Sequence, residues 1–314
     1  MTAAVRLSHV TKRFGRTEAV RDVSLEVPAG SLTGFIGPNG AGKSTTIRMI
    51  MSIIHPDAGT VEVLGADAIA AKDRIGYLPE ERGLYRRMRV MEFLCYMATL
   101  KGMPPGGLRA TVREWLERVQ LGEAARKRCQ ELSKGQQQKV QFIAAVIHEP
   151  ELIILDEPFS GLDPVNARLL NRLIRDLHRA GRTILFSTHV MHQAEQLCDR
   201  IVLINRGEKI LDADMPEIHA RFDPRSVLVE PAEPHASAAD ALGRLPGVTA
   251  AQWVEERRGA ELSVAPGADP QEVMAAAIGA MRVRHVSLRR TTLDDVFVEL
   301  VGEHLPPSEE SGNG

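Results

Sequence analysis

The first segment whose residue types could do chemistry is rich in glycine and ends in a lysine and two hydroxyl residues. It matches the pattern G-x-x-x-x-G-K-[ST] and consists of Gly37, Pro38, Asn39, Gly40, Ala41, Gly42, Lys43, Ser44 and Thr45. Glycines let backbone N–H groups converge on an anion, and a following helix adds partial positive charge at its start. The pattern predicts that these residues bind a nucleotide, with Lys43 at the β- and γ-phosphates and Ser44 on Mg²⁺.

Two adjacent carboxylates follow a second apolar run. Leu152–Leu155 predicts a buried strand, and Asp156 and Glu157 come directly after it. At the carboxyl edge of an α/β sheet, where ligands bind, Asp156 would hold Mg²⁺ and Glu157 would orient and polarise an attacking water. General-base help of this kind is worth about 10²–10⁴ in rate. A phosphate-binding loop alone leaves GTPases, kinases and ATPases open, and this second metal element narrows the choice.

Four motifs in a fixed order make the chain resemble one family. Leu132–Gln136 reads Leu-Ser-Lys-Gly-Gln and is followed by Asp156-Glu157-Pro158, Ser160–Pro164 and Ser187-Thr188-His189. With the phosphate loop, these motifs make residues 4–212 similar to the nucleotide-binding subunits of ATP-binding-cassette (ABC) transporters. The end of the chain, Thr292–Leu300, resembles the accessory domain of cassettes from drug- and sodium-export systems.

The resemblance implies how such a chain works. It implies an ATPase that uses Mg²⁺ and pairs with a second copy of the same or a related cassette. A membrane-spanning permease subunit would be the other partner. His189 would sense the γ-phosphate, and Glu157 would act as the catalytic carboxylate. Further nucleotide contacts are implied, partly from the opposite cassette, for Phe14, Ser133, Gly135, Gln136 and Asp163.

Two positions depart from the family pattern. Lys134 replaces the first glycine of the usual Leu-Ser-Gly-Gly-Gln, and Glu80 stands where the family has glutamine. Because backbone groups bind the phosphate, the Lys134 side chain is expected to face solvent; the alternative is that its charge helps to bind the anion. Glu80 is a candidate Mg²⁺ ligand through its oxygens. The alternative for Glu80 is a solvated loop carboxylate beside Glu81 and Arg82.

The elements that must position these residues alternate between short apolar runs and helical patterns up to about residue 210. Such alternation predicts an α/β fold with a mostly parallel sheet. We therefore expect a P-loop NTPase cassette over residues 1–212, with a helical subdomain at about 85–150. The resemblance implies that residues 80–92 meet the permease, and Tyr85 beside the basic cluster Arg86, Arg87 and Arg89 has the composition of an interface. The alternative is an ordinary charged loop.

A second domain is predicted after a change in composition near Asp212. The elements over residues 223–302 follow the order β-α-β-β-α-β, which predicts a small α+β, ferredoxin-like accessory domain. A last helix is expected to open at Thr292 with Asp295 completing a capping box. It is expected to bury Leu293, Val296, Phe297 and Leu300. The tail, residues 303–314, has the composition of a disordered segment.

Composition limits the alternatives. The 314 residues include 39 Lys plus Arg and 41 Asp plus Glu, and the net charge of −2 favours no nucleic-acid partner. No apolar run reaches the ~18–20 residues that cross a bilayer, and no secretory signal is evident. We expect a cytoplasmic protein, peripheral on the inner face of the membrane. The alternatives are a soluble regulatory cassette acting on ribosomes or DNA, and a degenerate cassette that binds ATP without hydrolysing it.

Overall fold

The computed structural model describes residues 2–81 and 83–302. By compactness the chain divides into two units, one up to Met215 and one from Pro216 to Glu299. The predicted disordered tail, residues 303–314, lies outside the described residues.

Two sheets form the first unit. Its strands are β1 (Ala3–Phe14), β2 (Thr17–Pro28), β3 (Leu32–Ile36), β4 (Ala58–Val63), β5 (Ile75–Leu78), β6 (Leu152–Asp156), β7 (Thr183–Thr188), β8 (Arg200–Asn205) and β9 (Glu208–Asp214). Six of them form the main sheet in the order β5-β6-β7-β3-β8-β9, in which only β9 runs antiparallel. The remaining three form an antiparallel sheet in the order β2-β1-β4.

The predicted mostly parallel sheet is confirmed, whereas the antiparallel sheet was not foreseen. Strands β3, β6 and β7 are buried along their whole length, as strands covered on both faces must be, and so read as continuous apolar runs. Strands β1 and β2 alternate buried and exposed positions and carry several register shifts. These shifts break the period-two pattern from which strands are recognised in sequence.

Helices alternate with the strands of the main sheet along the chain, and those between residues 90 and 146 fall in the range predicted for a helical subdomain. The helices are α1 (Lys43–Ile50), α2 (Val90–Leu100), α3 (Leu108–Arg118), α4 (Lys134–Val146), α5 (Pro164–Arg179) and α6 (Met191–Leu197). Helix α1 lies in the core, where its Ile47 and Ile50 join Phe35 of β3 and apolar residues of β1 and β2. The short helix α7 (Met215–Arg221) follows β9.

The second unit has the predicted ferredoxin-like fold. Its elements are β10 (Ser226–Pro231), α8 (Ala238–Leu242), β11 (Val248–Val254), β12 (Gly259–Val264), α9 (Pro270–Ala280), β13 (Val283–Leu288) and α10 (Leu293–Gly302). The strands pair in the antiparallel order β11-β12-β10-β13. The capping box is confirmed, since Thr292 Oγ1 accepts from Asp295 N at 3.2 Å and Asp295 Oδ2 accepts from Thr292 N at 3.1 Å. Phe297 is only half-buried, unlike the other apolar residues expected in this helix.

Candidate functional site

The glycine-rich loop connects β3 to α1 and is enclosed from behind by other strands. Gly37 has φ +155°, and a Cβ atom on it would lie 2.0 Å from the carbonyl oxygen of Ile204 in β8. Gly42 has φ +104°, and a Cβ atom there would lie 2.5 Å from the carbonyl oxygen of Ala19 in β2. Glycine is therefore required at both positions, by conformation and by space. The two strands fix the loop at the start of α1.

Lys43 is folded inside this loop. Only 7% of the residue is exposed, and its Nζ donates to the carbonyl oxygens of Gly37 at 2.7 Å and Pro38 at 3.1 Å. Burial lowers the pKa of Lys43, and the carboxylates of Glu157, Asp156 and Glu80 oppose that effect. The ammonium group is thus held where an anion in the loop would meet it.

A cavity of about 510 Å³ brings the predicted metal residues together with the predicted phosphate residues, except Gly37 and Pro38. Its wall consists of Ala19, Asn39, Gly40, Ala41, Gly42, Lys43, Ser44, Thr45, Glu80, Asp156 and Glu157. Glu80 belongs to this wall and is exposed to solvent at the same time, and its role as a Mg²⁺ ligand stays a prediction. Ala19 was not predicted, because β2 is far from the loop in sequence.

Asp156 ends β6 with an oxygen that has no protein partner. The residue is 3% exposed, and Oδ1 forms no hydrogen bond with any described residue. Burial raises the pKa of Asp156, whereas the Ser187 hydroxyl lowers it. The charges of nearby Glu80 and Glu157 also raise this pKa, and the charge of Lys43 lowers it. A buried carboxylate oxygen without a donor fits a hard divalent cation, which prefers oxygen ligands.

Protein carboxylates alone do not complete a cation site. Within residues 2–81 and 83–302, no three or more His, Cys, Asp or Glu side chains are grouped so that they could hold a metal ion. A Mg²⁺ ion at Asp156 would therefore need the Ser44 hydroxyl, phosphate oxygens and water, which is the usual way that this ion is bound beside nucleotides.

Glu157 and His189 are in direct contact. Glu157 adopts a left-handed backbone, φ +49°, immediately after β6, and is 9% exposed. Its Oε1 accepts from His189 N at 2.8 Å and lies 2.7 Å from His189 Nδ1, and its Oε2 accepts from Thr188 Oγ1 at 3.0 Å. The carboxylate is thus fixed at both oxygens by the end of β7. Thr188 was not predicted as a site residue, although its place directly before His189 was the available signal.

The signature segment begins α4 and is absent from the cavity wall. Ser133 caps the helix: its Oγ accepts from Gln136 N at 3.3 Å, and Gln136 Oε1 accepts from Ser133 N at 3.0 Å. Lys134 is exposed, in agreement with the expectation that it faces solvent. A Cβ atom on Gly135 would lie 3.4 Å from Leu162, so this helix start packs beside the Ser160–Pro164 segment.

Asp163 and Phe14 also lie outside the cavity wall. Asp163 caps α5, with its Oδ1 accepting from Val165 N and Asn166 N at 2.9 Å each. Phe14, at the end of β1, is 52% exposed and has the Lys12 ammonium 5.6 Å from its ring centroid. The predicted nucleotide contacts of these residues and of the signature segment stay predictions.

No helix among the described residues is both long enough and apolar enough to span a bilayer.

Two protein-family profiles match the sequence. The sequence profile of the ABC transporter family matches residues 20–160, and that of the C-terminal domain of DrrA1-3-like ATP-binding proteins matches residues 214–301.

Relatives match along most of the chain. An uncharacterized ABC transporter ATP-binding protein, YhaQ of Bacillus subtilis (strain 168), is 39% identical over 297 residues, covering 94% of this chain and 98% of that protein. The daunorubicin resistance ATP-binding protein DrrA3 of Streptomyces coeruleorubidus is 33% identical over 311 residues, covering 96% of each. A solved ATP-binding subunit of an ABC transporter superposes with a TM-score of 0.65 at 29% identity, covering 70% of this chain and 93% of that chain.

Proposed function

The chain belongs to the family of ABC transporter ATP-binding proteins, and from that premise we propose that it hydrolyses ATP to power export through a separate membrane-spanning permease subunit. Export is supported by the relative named for daunorubicin resistance, which matches over 96% of both chains. The C-terminal match to DrrA-like proteins supports the same type of system. We assign the cassette to residues 1–212 and the accessory domain to residues 223–302.

Nothing in these relatives favours a cassette that acts on ribosomes or DNA. The degenerate cassette, which binds ATP without hydrolysing it, is disfavoured because Lys43, Asp156, Glu157 and His189 are all present and the first three line one cavity. We place the working protein on the cytoplasmic face of the membrane, held there by the permease.

ATP would bind with its phosphates against the loop, where the Lys43 ammonium and backbone N–H groups meet them. Ser44, Asp156 and Glu80 would hold Mg²⁺, which when bound compensates the charge of the phosphates. Glu157 would orient the attacking water and take up its proton at a carboxylate oxygen. Thr188 and His189 hold that carboxylate in place, and His189 would turn toward the γ-phosphate.

A second cassette would complete the site. Ser133, Gly135 and Gln136 present the start of α4 outside the cavity of their own chain, beside the segment that contains Asp163. The start of a helix binds anions through its free N–H groups. We propose that it binds the γ-phosphate held by the opposite copy, so that ATP joins two chains and hydrolysis releases them.

The position of the Glu157 carboxylate in the cavity, fixed by Thr188 and His189, carries this proposal. Substituting Glu157→Gln should lower the rate of ATP hydrolysis by about 10²–10⁴, measured as phosphate release. ATP should still bind and should give dimers by size-exclusion chromatography. The matched control is Glu151→Gln, an exposed glutamate just before the other end of β6, which should keep full turnover.

Undiminished hydrolysis by the Glu157→Gln variant would refute the catalytic role. Monomers at saturating ATP, with hydrolysis lost, would refute the shared site while leaving the catalytic role intact.

A further inference from the structure

The helical subdomain carries a second concentration of positive charge, outside the wall of the nucleotide cavity. It consists of eight exposed residues, here called the basic patch: Arg86, Arg87, Arg89, Arg109, Arg113, Arg126, Lys127 and Arg128. The chain as a whole has a net charge of −2, so this local excess is a property of one surface and not of the composition.

Backbone pairing brings the separate stretches of the basic patch together. Arg89 and Arg128 form an antiparallel bridge, and Gln130 N donates to the carbonyl oxygen of Arg86 at 3.0 Å. The segment before α2 therefore runs beside the segment after α3, which places their basic residues next to one another.

A cavity of about 500 Å³ joins the rest of the patch to these segments. Arg109 and Arg113, one turn apart on α3, line it together with Arg126. Met91, two residues after Arg89, lines the same cavity. Three guanidinium groups thus surround this recess, and Met91 links it to the segment that carries Arg89.

The basic patch lacks charge partners. Among the described residues, none of its eight members has a carboxylate oxygen within 4.0 Å. Elsewhere in the first unit, Arg6, Arg74 and Arg182 each pair with a glutamate.

Two of the nearby carboxylates accept from backbone N–H groups, and a third, that of Glu117, lies against Gly122 in the wall of the three-arginine cavity. Glu92 accepts from the backbone N of Arg89 at 3.3 Å, and Glu131 accepts from that of Arg128 at 2.6 Å. Glu123 is the one acidic residue in the wall of the three-arginine cavity. The surface therefore presents unneutralised guanidinium groups, which match phosphate in planar, bidentate geometry.

Exposed tyrosines adjoin the patch. Tyr85, directly before Arg86, is 52% exposed and packs edge-on against Tyr96, which is 42% exposed, with ring centroids 5.8 Å apart. Tyrosine beside clustered basic residues is the composition of surfaces that meet the headgroups of a membrane. Three members of the patch, Arg86, Arg87 and Arg89, are also predicted to contact the permease, which places the rest of the patch beside the lipid that surrounds a permease in the membrane.

We propose that the basic patch binds anionic phospholipids, with Arg109, Arg113 and Arg126 seating a headgroup phosphate and the two tyrosines lying at the membrane interface. The contact would hold the cassette against the inner leaflet around the permease. This inference goes beyond ATP hydrolysis and does not depend on any residue of the nucleotide cavity.

Vesicle binding by the full chain tests the proposal. The protein should cosediment with vesicles of equal parts phosphatidylglycerol and phosphatidylcholine, but not with pure phosphatidylcholine, and added salt should release it. The double variant Arg109→Gln/Arg113→Gln should bind about 25-fold more weakly, since each basic residue near an anionic surface contributes roughly a fivefold factor. The matched control removes two exposed arginines of α5, Arg172→Gln/Arg179→Gln, and should bind as the wild type does. ATP hydrolysis should be unchanged in both variants, which shows that they are folded.

Several outcomes would overturn the proposal. They are equal weakening in both double variants, no preference for phosphatidylglycerol, and binding of inorganic phosphate or an oligonucleotide without binding of vesicles. Normal vesicle binding by the Arg109→Gln/Arg113→Gln variant combined with lost binding of the permease would assign the patch to an acidic protein segment instead. Each of these results leaves the assignment of ATP hydrolysis untouched, because Glu157→Gln tests that separately.

Discussion

The nucleotide cavity and the basic patch are both arranged for phosphate, but by opposite means. The cavity holds one buried lysine, Lys43, which faces carbonyl oxygens and shares its wall with Glu80, Asp156 and Glu157. The patch holds eight exposed cations, and its recess has a single carboxylate, that of Glu123. Phosphate binding in the cavity therefore depends on backbone N–H groups and on an added Mg²⁺ ion, whereas phosphate binding at the patch depends on side-chain charge alone.

The two regions differ in how far binding depends on fixed geometry. Burying charge costs free energy, so a site such as the cavity works only when its atoms are already in position. Exposed arginines keep most of their hydration on folding, and each contributes a small, additive and salt-sensitive amount of binding free energy. We expect single substitutions in the cavity to abolish ATP binding, and single substitutions in the patch to weaken vesicle binding only in part.

Gly37→Ala should separate the two regions most sharply. Its new Cβ atom would lie 2.0 Å from the Ile204 carbonyl oxygen, at a backbone angle that alanine rarely adopts, so the loop must move. We expect about a 100-fold loss of ATP affinity, the effect of overpacking by roughly 3 kcal/mol. Nucleotide titration measures it, and binding of anionic vesicles should be unchanged.

The control for this substitution is Gly30→Ala. Gly30 also has a positive φ, +75°, but nothing lies within 4 Å of a Cβ atom there. It should cost only about 1 kcal/mol of stability through backbone strain, with ATP affinity retained. Equal loss of ATP affinity in the two variants would mean that steric enclosure of the loop is not what distinguishes the cavity.

The cavity shows what sequence could and could not predict. Lys43, Ser44, Asp156 and Glu157 were predicted because each motif is local: a strand, a turn and the next element are adjacent in the chain. The strands that enclose the loop were not, since contacts of Gly37 with Ile204 and of Gly42 with Ala19 join positions far apart in sequence.

The basic patch likewise depends on contacts between residues that are distant in sequence. The sequence indicated Arg86, Arg87 and Arg89 as a cluster, because they are neighbours. It did not indicate that residues near 127–130 pair with them, or that Arg109 and Arg113 share a cavity with Arg126. By contrast, the fold of the second unit was predicted in full order, since its short loops connect each element to the next.

Asp156→Asn tests whether a buried negative charge in the cavity lowers the stability of the folded chain. Burial raises the pKa of Asp156 in the folded chain above its unfolded value. The ionised carboxylate therefore costs stability, and this cost appears as the pH rises from the unfolded pKa through the raised folded pKa. Without nucleotide the variant should be more stable than the wild type at neutral pH, by about 1 kcal/mol, and equally stable at the acid end. Thermal unfolding at a series of pH values measures this.

The same variant should lose the dependence of ATP binding on Mg²⁺, because the orphan carboxylate oxygen is gone. Arg109→Gln/Arg113→Gln should leave the unfolding temperature nearly unchanged, since both arginines are exposed. Lower stability of Asp156→Asn at every pH would show that the cavity is not strained by its own charge.

His148 lies where the residues after α4 meet β5 and the end of α2, and its substitution has the smallest expected effect. It lies after α4 with Nε2 3.2 Å from the carbonyl oxygen of Ile75 in β5, to which Lys101 Nζ at the end of α2 also donates at 2.9 Å. Burial, assisted by the charge of Lys101, lowers the pKa of His148 to about 4. Its neutral form is therefore favoured on folding, so stability is complete above the unfolded pKa of 6.5 and is lost as the pH falls toward 4.

His148→Gln should remove about 1–2 kcal/mol of this acid-dependent loss of unfolding free energy, after allowance for partial exposure. Denaturant unfolding between neutral pH and pH ~4 measures it, and His192→Gln, at an exposed histidine of α6, should keep the wild-type dependence. An identical acid response in all three proteins would remove His148 as the titrating group. If the His148→Gln variant also binds vesicles more weakly at acid pH, the contacts at the Ile75 carbonyl oxygen position the basic patch relative to the sheet that carries the nucleotide cavity. The two regions would then be coupled through the fold rather than independent.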